Sequence, residues 1–461
     1  MAGNQGSAAR REPPRRRPEP QRRPVKRKPA QSQQRPQSRR PSQARQSVVV
    51  PFPAPQRRPR RRPMSREEAQ RRQEIRLRQQ AKEEESRELA KGPIDLPFCL
   101  LVLLLTAIGL VMLLSASFPS AYYTTKKNDP TYYFVRQAIF AVMGVAAMLL
   151  ISKINYQRFR GIGKTLLYVS IVLLILVIIP GNPLAVTRNN ATRWLGIGEL
   201  LTIQPSEIAK MAIVIYFSES ISKKKDQMRS FRYGILPYAL ILVLTAGLVA
   251  VEPHLSGAVL ILGVGAALML VGGINWAWVL GAMGAAAAFL YFALFVVGYN
   301  TSRIQFWLNP WADAQNKGYQ LSQSLITIGS GGLLGVGLGK SGQKFLFLPE
   351  EHNDFIFAII CEELGLIGAT IIMLLFAALI LRGYWIALHT RHRFGSLMVI
   401  GVTTLVAMQT FLNIAVVTGL LPTTGISLPF FSYGGTALCI QLAEMGLVLS
   451  VSRQMRPTKA G

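Results

Sequence analysis

From residue 94 onward the chain is a succession of long apolar runs, and these decide what it can fold into. A helix needs about 20 apolar residues to cross the hydrocarbon core of a bilayer. Ten stretches meet or approach that length, near 97–117, 134–152, 164–180, 205–221, 233–251, 255–273, 276–298, 353–381, 395–419 and 430–452. The pattern predicts an all-α membrane protein with ten transmembrane helices over 94–455. The third and fourth runs are short. The fifth and sixth are divided only by "VEPHLS", which requires a tight turn at an interface.

Half of the 461 residues are hydrophobic and only 16% are charged, with a mean hydropathy of +0.28. The averages hide two regions. Residues 1–93 hold 27 Lys and Arg against 9 Asp and Glu, a net +18 of the chain's +29, and almost no apolar run. Such a segment buries too little apolar surface to offset chain entropy, so it is expected to be disordered. One exception is expected over 65–91, where a capping box from Ser65 to Glu68 opens a stretch of helix formers with mixed charge. The tail has no apolar segment near its start, so it does not read as a signal peptide. It reads as a cytoplasmic arm drawn to anionic membrane lipids rather than to nucleic acid. Cys99, Cys361 and Cys439 each sit in or beside an apolar run, with no disulfide or metal spacing.

Basic residues mark the cytoplasmic side. One set of short loops carries Lys153, Arg158, Arg160 and Lys164, then Lys223, Lys224, Lys225, Arg229 and Arg232, then Arg382, Arg391 and Arg393. Arg453, Arg456 and Lys459 follow, and 456–461 forms a short cytoplasmic tail. Ten spans put both termini on that side. The opposite side then carries the 118–133, 181–204 and 420–429 loops, the Glu252–His254 turn, and a large loop, 299–352, between the seventh and eighth spans. Long ordered loops tend to be functional, and this one is expected to fold back over the bundle as short helices.

Several polar residues in or near these runs need a reason. In "FWLNPWADAQNKGYQLSQS" a single acid, Asp313, stands among Trp307, Pro310 and Trp311; it is either part of an interfacial anchor or a reacting group at headgroup level. Glu207 and Lys210 open the fourth run three residues apart, so they share a helix face and can pair. They read as a self-neutralising packing element or as the wall of a substrate cavity. Arg193, just before them, suits a phosphate. Glu350 and Glu351 favour the positive end of a helix dipole. His352, Asp354 and Glu362 are candidate ligands for a divalent cation, magnesium or manganese, although their spacing matches no metal motif. "GVGLGKSGQKF" contains GxGxxG without a strand–helix unit around it, so a dinucleotide site is not expected. It reads as a re-entrant turn, or as a segment offering Lys340, Lys344 and backbone amides to a pyrophosphate. Ser432, Tyr433 and Thr424 lie in a proline- and glycine-rich stretch before the tenth run and are candidate cavity liners.

Three segments together resemble the SEDS family (shape, elongation, division and sporulation proteins), closest to its division and sporulation branch: "RWLGIGELLTIQPSEIAK", "NPWADAQNKGYQLSQSLITIGSGGLLGVGLGKSGQKFLFLPEEHNDFIFAIICEELG" and "GLLPTTGISLPFFSYGGTAL". The likeness covers about 94–455 and leaves out the tail. In "EPHLSG", His254 stands where many members have the acid of a Gln-Pro-Asp turn. The resemblance implies a peptidoglycan glycosyltransferase of the bacterial cytoplasmic membrane that polymerises lipid II at the outer face and releases undecaprenyl pyrophosphate. It implies a class B penicillin-binding transpeptidase as partner, with other divisome or wall-assembly proteins. By this resemblance the family's essential acid aligns with Asp313, which is expected to take the acceptor hydroxyl's proton as general base. Arg193, Glu207, Lys210, Lys340, Lys344 and Ser432 are the expected substrate contacts, and no organic cofactor is expected. A lipid II flippase and a non-catalytic scaffold for a transpeptidase are the competing classes.

Overall fold

The computed structural model describes residues 92–125, 128–188, 191–197, 201–281 and 301–455, with Gln73 and Gly284 besides. The basic tail with its expected helix over 65–91, residues 456–461 and most of the seventh apolar run, 276–298, lie outside the described residues.

The other nine runs lie on helices: α1 (Leu96–Thr124), α2 (Tyr132–Lys153), α3 (Ile162–Ile178), α4 (Pro205–Lys224), α5 (Leu236–Val251), α6 (Leu255–Val271), α9 (Ile356–Leu388), α10 (Arg393–Val417) and α11 (Gly435–Ser452). Between α6 and α9 come the short α7 (Thr301–Leu308) and α8 (Tyr319–Ser330), joined through a 3₁₀ turn at Pro310–Asp313. Among the described residues six helical stretches are long and apolar enough to cross a membrane: α1, α2, Phe231–Val251 ending in α5, α9, α10 and α11. α3 and α6 are shorter apolar helices.

α1 begins where the sequence supplies a cap. The Asp95 side chain accepts the Phe98 amide at 3.0 Å, and Pro97 occupies the first turn, where its missing N–H costs nothing. The same carboxylate takes a forked contact from Arg382 of α9, at 3.0 and 2.7 Å, while the Asp95 amide donates to Ser452 of α11 at 3.1 Å. One residue thus fixes the entry of the membrane domain to the ends of two later helices. In the core, α10 packs against α4, α6, α9 and α11, and α2 lies along α11. Gly446 permits that last approach, because a Cβ there would press on the Met148 backbone.

Two departures from simple spans matter for the site. The expected 181–204 loop contains an antiparallel three-stranded sheet in the order β1 (Ala185–Arg188), β2 (Ala191–Ile197), β3 (Leu201–Ile203), with Val186 opposite Trp194 and Leu195 opposite Ile203. The build is therefore helical with one small sheet. In addition, α9 is broken at Gly365, whose φ of 68° and ψ of −172° are not helical. The glycine-rich segment fills the break. Val336 and Gly337 donate to the Glu362 and Glu363 carbonyls at 2.9 and 3.0 Å, and Leu366 and Ile367 donate to Gly332 and Leu333 at 2.9 and 3.2 Å. Four peptide groups freed by the kink are satisfied in this way, as a low-dielectric setting demands.

A polar cleft and the residues around it

The fourth apolar run opens as expected. Pro205 starts α4, and Glu207 and Lys210 meet across one turn at 2.7 Å, with Lys210 only 2% exposed. Beside them runs a small, partly open cleft between α4, α10, α11 and the irregular segment 427–434. Glu207, Gln409, Ser432, Tyr433, Gln441 and Glu444 supply its polar lining. Ser432 is committed to the loop itself. Its hydroxyl donates to the Asn353 carbonyl at 2.6 Å and accepts the Leu428 amide at 2.7 Å. Gln137 of α2 brackets the same segment, donating to the Ser432 carbonyl at 3.2 Å and accepting the Gly434 amide at 3.1 Å. Thr424 is half-buried, and its enclosed hydroxyl has no partner among the described residues.

The sheet carries Arg193 to the α5–α6 turn. Its guanidinium donates to the Glu252 carbonyl at 3.3 Å and to the Pro253 carbonyl. Within this turn the Glu252 carboxyl is buried, with neither oxygen hydrogen-bonded among the described residues. Burial pushes it up to about 8, against the pull of Arg193. His254 is held down at about 3 by burial, then by the charges of Arg193 and Lys210. Its Nδ1 lies 3.4 Å from both Gln204 and Ser206. Asp354, just before α9, is pushed up to about 6 by burial and by Glu350, while Arg193 and His352 pull it down. Its carboxylate accepts no hydrogen bond from a described residue, and it lies against Gly425. Arg193 is thus near enough to bias both His254 and Asp354, and Lys210 near enough to bias His254, although the four come from separate elements.

The candidate cation ligands are not brought together. His352 stacks on Tyr133, with ring centroids 4.7 Å apart, and pairs with Glu351 at 3.3 Å. Glu362 turns to the glycine-rich segment, where it accepts the Ser341 hydroxyl and, at 3.1 Å, the Gly342 amide. Among the described residues no three His, Cys, Asp or Glu side chains gather as a metal site.

The two lysines of the glycine-rich segment part ways. Lys340 is exposed. Lys344, read from sequence as presented to an outer ligand, is buried and engaged with Glu363, Ser115 and the Gly339 carbonyl. The physical reason is the kink in α9, which leaves the buried Glu363 carboxylate in need of a counter-charge.

Asp313 ends its 3₁₀ turn half-buried. Its carboxylate accepts the Asn316 side-chain amide at 3.0 Å and the Lys317 backbone amide at 3.3 Å. The surrounding segment is pinned to the end of α10, through Trp307 to the Gly419 carbonyl at 2.8 Å and Ser324 to the Val417 carbonyl at 2.7 Å. Within this segment the described residues form the two short helices α7 and α8, and α8 packs on α9 and α10.

Glu444 and Gln409 were not singled out from sequence. The available signal was an acid in the middle of an apolar run, which is costly and therefore informative.

These features define a polytopic helical membrane protein with a polar cleft in its bundle and a folded loop that carries a half-buried carboxylate. A family model described as "Cell cycle protein", covering FtsW, RodA and SpoVE, matches residues 96–457. The chain belongs to this family, and with its membrane-length helices it is a multi-pass protein of the cytoplasmic membrane. It is 39% identical over 364 residues to the "Probable peptidoglycan glycosyltransferase FtsW" of Geobacter metallireducens, covering 79% of this chain and 96% of that one. It is 42% identical over 366 residues to the "Stage V sporulation protein E" of Bacillus subtilis, covering 78% and 98%. Among solved structures, a chain from "Structural coordination of polymerization and crosslinking by a peptidoglycan synthase complex" superposes with a TM-score of 0.65 at 26% identity, covering 78% of this chain and 98% of that one. The rod shape determining protein RodA of Thermus thermophilus gives 0.59 at 26% identity, covering 79% and 99%.

Proposed function

We propose that the chain is a peptidoglycan glycosyltransferase that polymerises lipid II at the outer face of the cytoplasmic membrane, in division or sporulation. In this reading ten spans place both termini in the cytoplasm and the 299–352 loop outside. Asp313 takes the proton of the acceptor hydroxyl as the glycosidic bond forms, and undecaprenyl pyrophosphate leaves. Inversion at the anomeric carbon needs one base and no covalent intermediate, which suits a lone carboxylate.

The observation that carries this reading is the setting of Asp313. It is half-buried on a stiff turn, and its two contacts, from Asn316 and the Lys317 amide, leave further lone pairs to meet a hydroxyl. The names of relatives that match nearly end to end support the reaction class. Arg193 and Lys210 are the cations we assign to the departing diphosphate, with exposed Lys340 nearer the loop surface. Lys344 is assigned to holding the loop. A magnesium or manganese ion fits Asp354 best among the three candidates, because that carboxylate is unpartnered among the described residues and such ions need only one or two carboxylates beside substrate phosphates. The ion's contribution when bound is neutralisation of phosphate charge.

The neighbouring synthase complex couples polymerisation to crosslinking by its own title. Crosslinking is transpeptidation, so we assign a class B penicillin-binding protein as partner.

One observation favours a second reading. Glu207, Lys210 and Glu444 put three ionisable groups beside a cleft inside the bundle, as a lipid transporter would require. Reconstitution separates the classes. The purified protein with its transpeptidase should make glycan from lipid II, and D313N should make none at an unchanged melting temperature. Polymer from D313N removes Asp313 from the chemistry. Movement of fluorescent lipid II across vesicles without polymer selects the transporter, and neither activity selects the scaffold.

A further inference from the structure

Aromatic rings from three separate elements meet beside the cleft. Tyr132 and Tyr133 open α2, His352 precedes α9 and Tyr433 precedes α11. Tyr133 stacks on His352, with centroids 4.7 Å and planes 24° apart. Tyr433 meets Tyr133 in a T-shape at 4.8 Å and 70°, and lies 6.1 Å from His352. The rings thus form a corner, not a column, because Tyr433 does not lie across Tyr133 from His352. The backbone holds the corner in place. The Tyr433 amide donates to the His352 carbonyl at 3.0 Å, and Gln137 brackets the residues on either side of Tyr433. Polar groups stand around it: the Tyr132 hydroxyl accepts Arg136 at 2.7 Å, and the Asn353 side-chain amide donates to Glu350.

Aromatic residues at a membrane boundary commonly anchor helices among lipid headgroups. Tyr122 and Tyr123, which pair with each other near the end of α1 and are 44% and 65% exposed, fit that role. The corner does not. Its rings are half-buried and pack on one another, and Tyr433 lines the cleft. Arg193 is near enough to bias Asp354, two residues beyond His352, so the corner adjoins a residue assigned above to the diphosphate. Aromatic faces with a polar surround suit a ligand that is apolar on one side and rimmed by hydroxyls. A pyranose ring has that build, with axial C–H bonds on its face and hydroxyls at its edge.

We propose that Tyr133 and Tyr433, braced by His352, form a saccharide subsite at the edge of the cleft, which takes an amino-sugar disaccharide unit. The proposal rests on the glycosyltransferase reading for the identity of the sugar and adds a binding site to it.

The test is binding of a soluble, lipid-free GlcNAc–MurNAc tetrasaccharide to the purified full chain in nanodiscs, followed by ligand-observed NMR. The wild type should bind it saturably. Y133A and Y433A should bind about three- to tenfold more weakly, while Y133F and Y433F, which keep the ring, should bind as the wild type does. Y122A and Y123A should leave binding unchanged. A corner that only holds the fold would, on truncation, weaken binding of undecaprenyl pyrophosphate as much as that of the tetrasaccharide; the expected loss is confined to the saccharide. Should the alanine variants not fold, Y133L and Y433L fill the space without a ring and should show the same loss. Alanine or leucine variants that bind the tetrasaccharide like the wild type overturn the proposal, as does a wild type that does not bind it. In the polymerisation assay, added tetrasaccharide that raises KM for lipid II assigns the subsite to the lipid-linked sugar, and one that shortens the glycan assigns it to the growing strand. A wild type that binds the tetrasaccharide but makes no polymer keeps the subsite and ends the glycosyltransferase reading alone.

Discussion

Lys344 and Glu363 form an enclosed ion pair, Nζ to Oε1 at 3.0 Å, with side chains 4% and 0% exposed. Ser115 of α1 donates to both Glu363 oxygens at 2.6 and 2.8 Å, and the ammonium also reaches Ser115 at 3.1 Å and the Gly339 carbonyl at 2.7 Å. Every donor of Lys344 is therefore engaged, and the pair ties the glycine-rich segment to both α9 and α1. Removing one partner strands a buried charge at a cost of about 3–5 kcal/mol. K344M and E363L should each lower the melting temperature in detergent strongly, and the double variant should recover most of the loss. A double variant as unstable as the worse single one would mean that the pair is not coupled.

The kink in α9 depends on two glycines. A Cβ at Gly365 would overlap the Gly335 amide nitrogen, and one at Gly335 would overlap the Glu363 carbonyl oxygen. Both residues also have positive φ, 68° and 79°. Gly332 shares the positive φ, at 54°, but a Cβ there meets nothing. G365A and G335A should fail to accumulate as monodisperse protein. G332A should fold with a loss of about 1–2 kcal/mol, the cost of backbone strain alone. Size-exclusion profiles of the three alanine variants decide the matter.

Glu252 predicts how stability changes with pH. Its carboxyl is raised from 4.5 to about 8 in the folded protein. An acid with a raised folded pKa contributes stability that is complete below its unfolded value and is lost as pH rises through the folded one. The melting temperature should therefore fall between about pH 4.5 and pH 8 through this residue, and E252Q should flatten that fall. Asp354, raised from 3.8 to about 6, adds to the lower part of the same window. His254 works in the opposite sense. Lowered from 6.5 to about 3, it contributes stability that is present above 6.5 and lost on acidification. A melting curve of E252Q parallel to the wild type from about pH 5 to pH 9 would contradict the burial of Glu252.

What was legible in the sequence follows from what periodicity and local spacing can carry. The apolar runs gave the helices, because length and hydropathy are local. Glu207 and Lys210 were readable as a pair because three residues on a helix are neighbours, and "VEPHLS" was readable as a turn. The sheet was not, because three short strands around Asn189 and Asn190 look like a polar loop. The pairing of Lys344 was not legible, because its partner Glu363 is 19 residues away and reaches it only after α9 breaks. Glu444 vanished into the average of its run. The approach of Arg193 to both His254 and Asp354 depends on tertiary packing, which no spacing encodes.

The last prediction concerns how Asp313 is aimed. Its Oδ1 is held by the exposed Asn316 amide at 3.0 Å, three residues on. Without that bond only the longer contact from the Lys317 amide, 3.3 Å, restrains the carboxylate, and a base a little out of line loses much of its effect. N316A should lower kcat for glycan formation by about tenfold, with little change in KM, since ground-state binding is untouched. N316D should do worse, because it adds a like charge beside the base and removes the donor. Both variants should melt as the wild type does, because Asn316 is at the surface. A raised KM with unchanged kcat in N316A would show that Asn316 serves binding, and would separate the orientation of Asp313 from the rate of the chemical step.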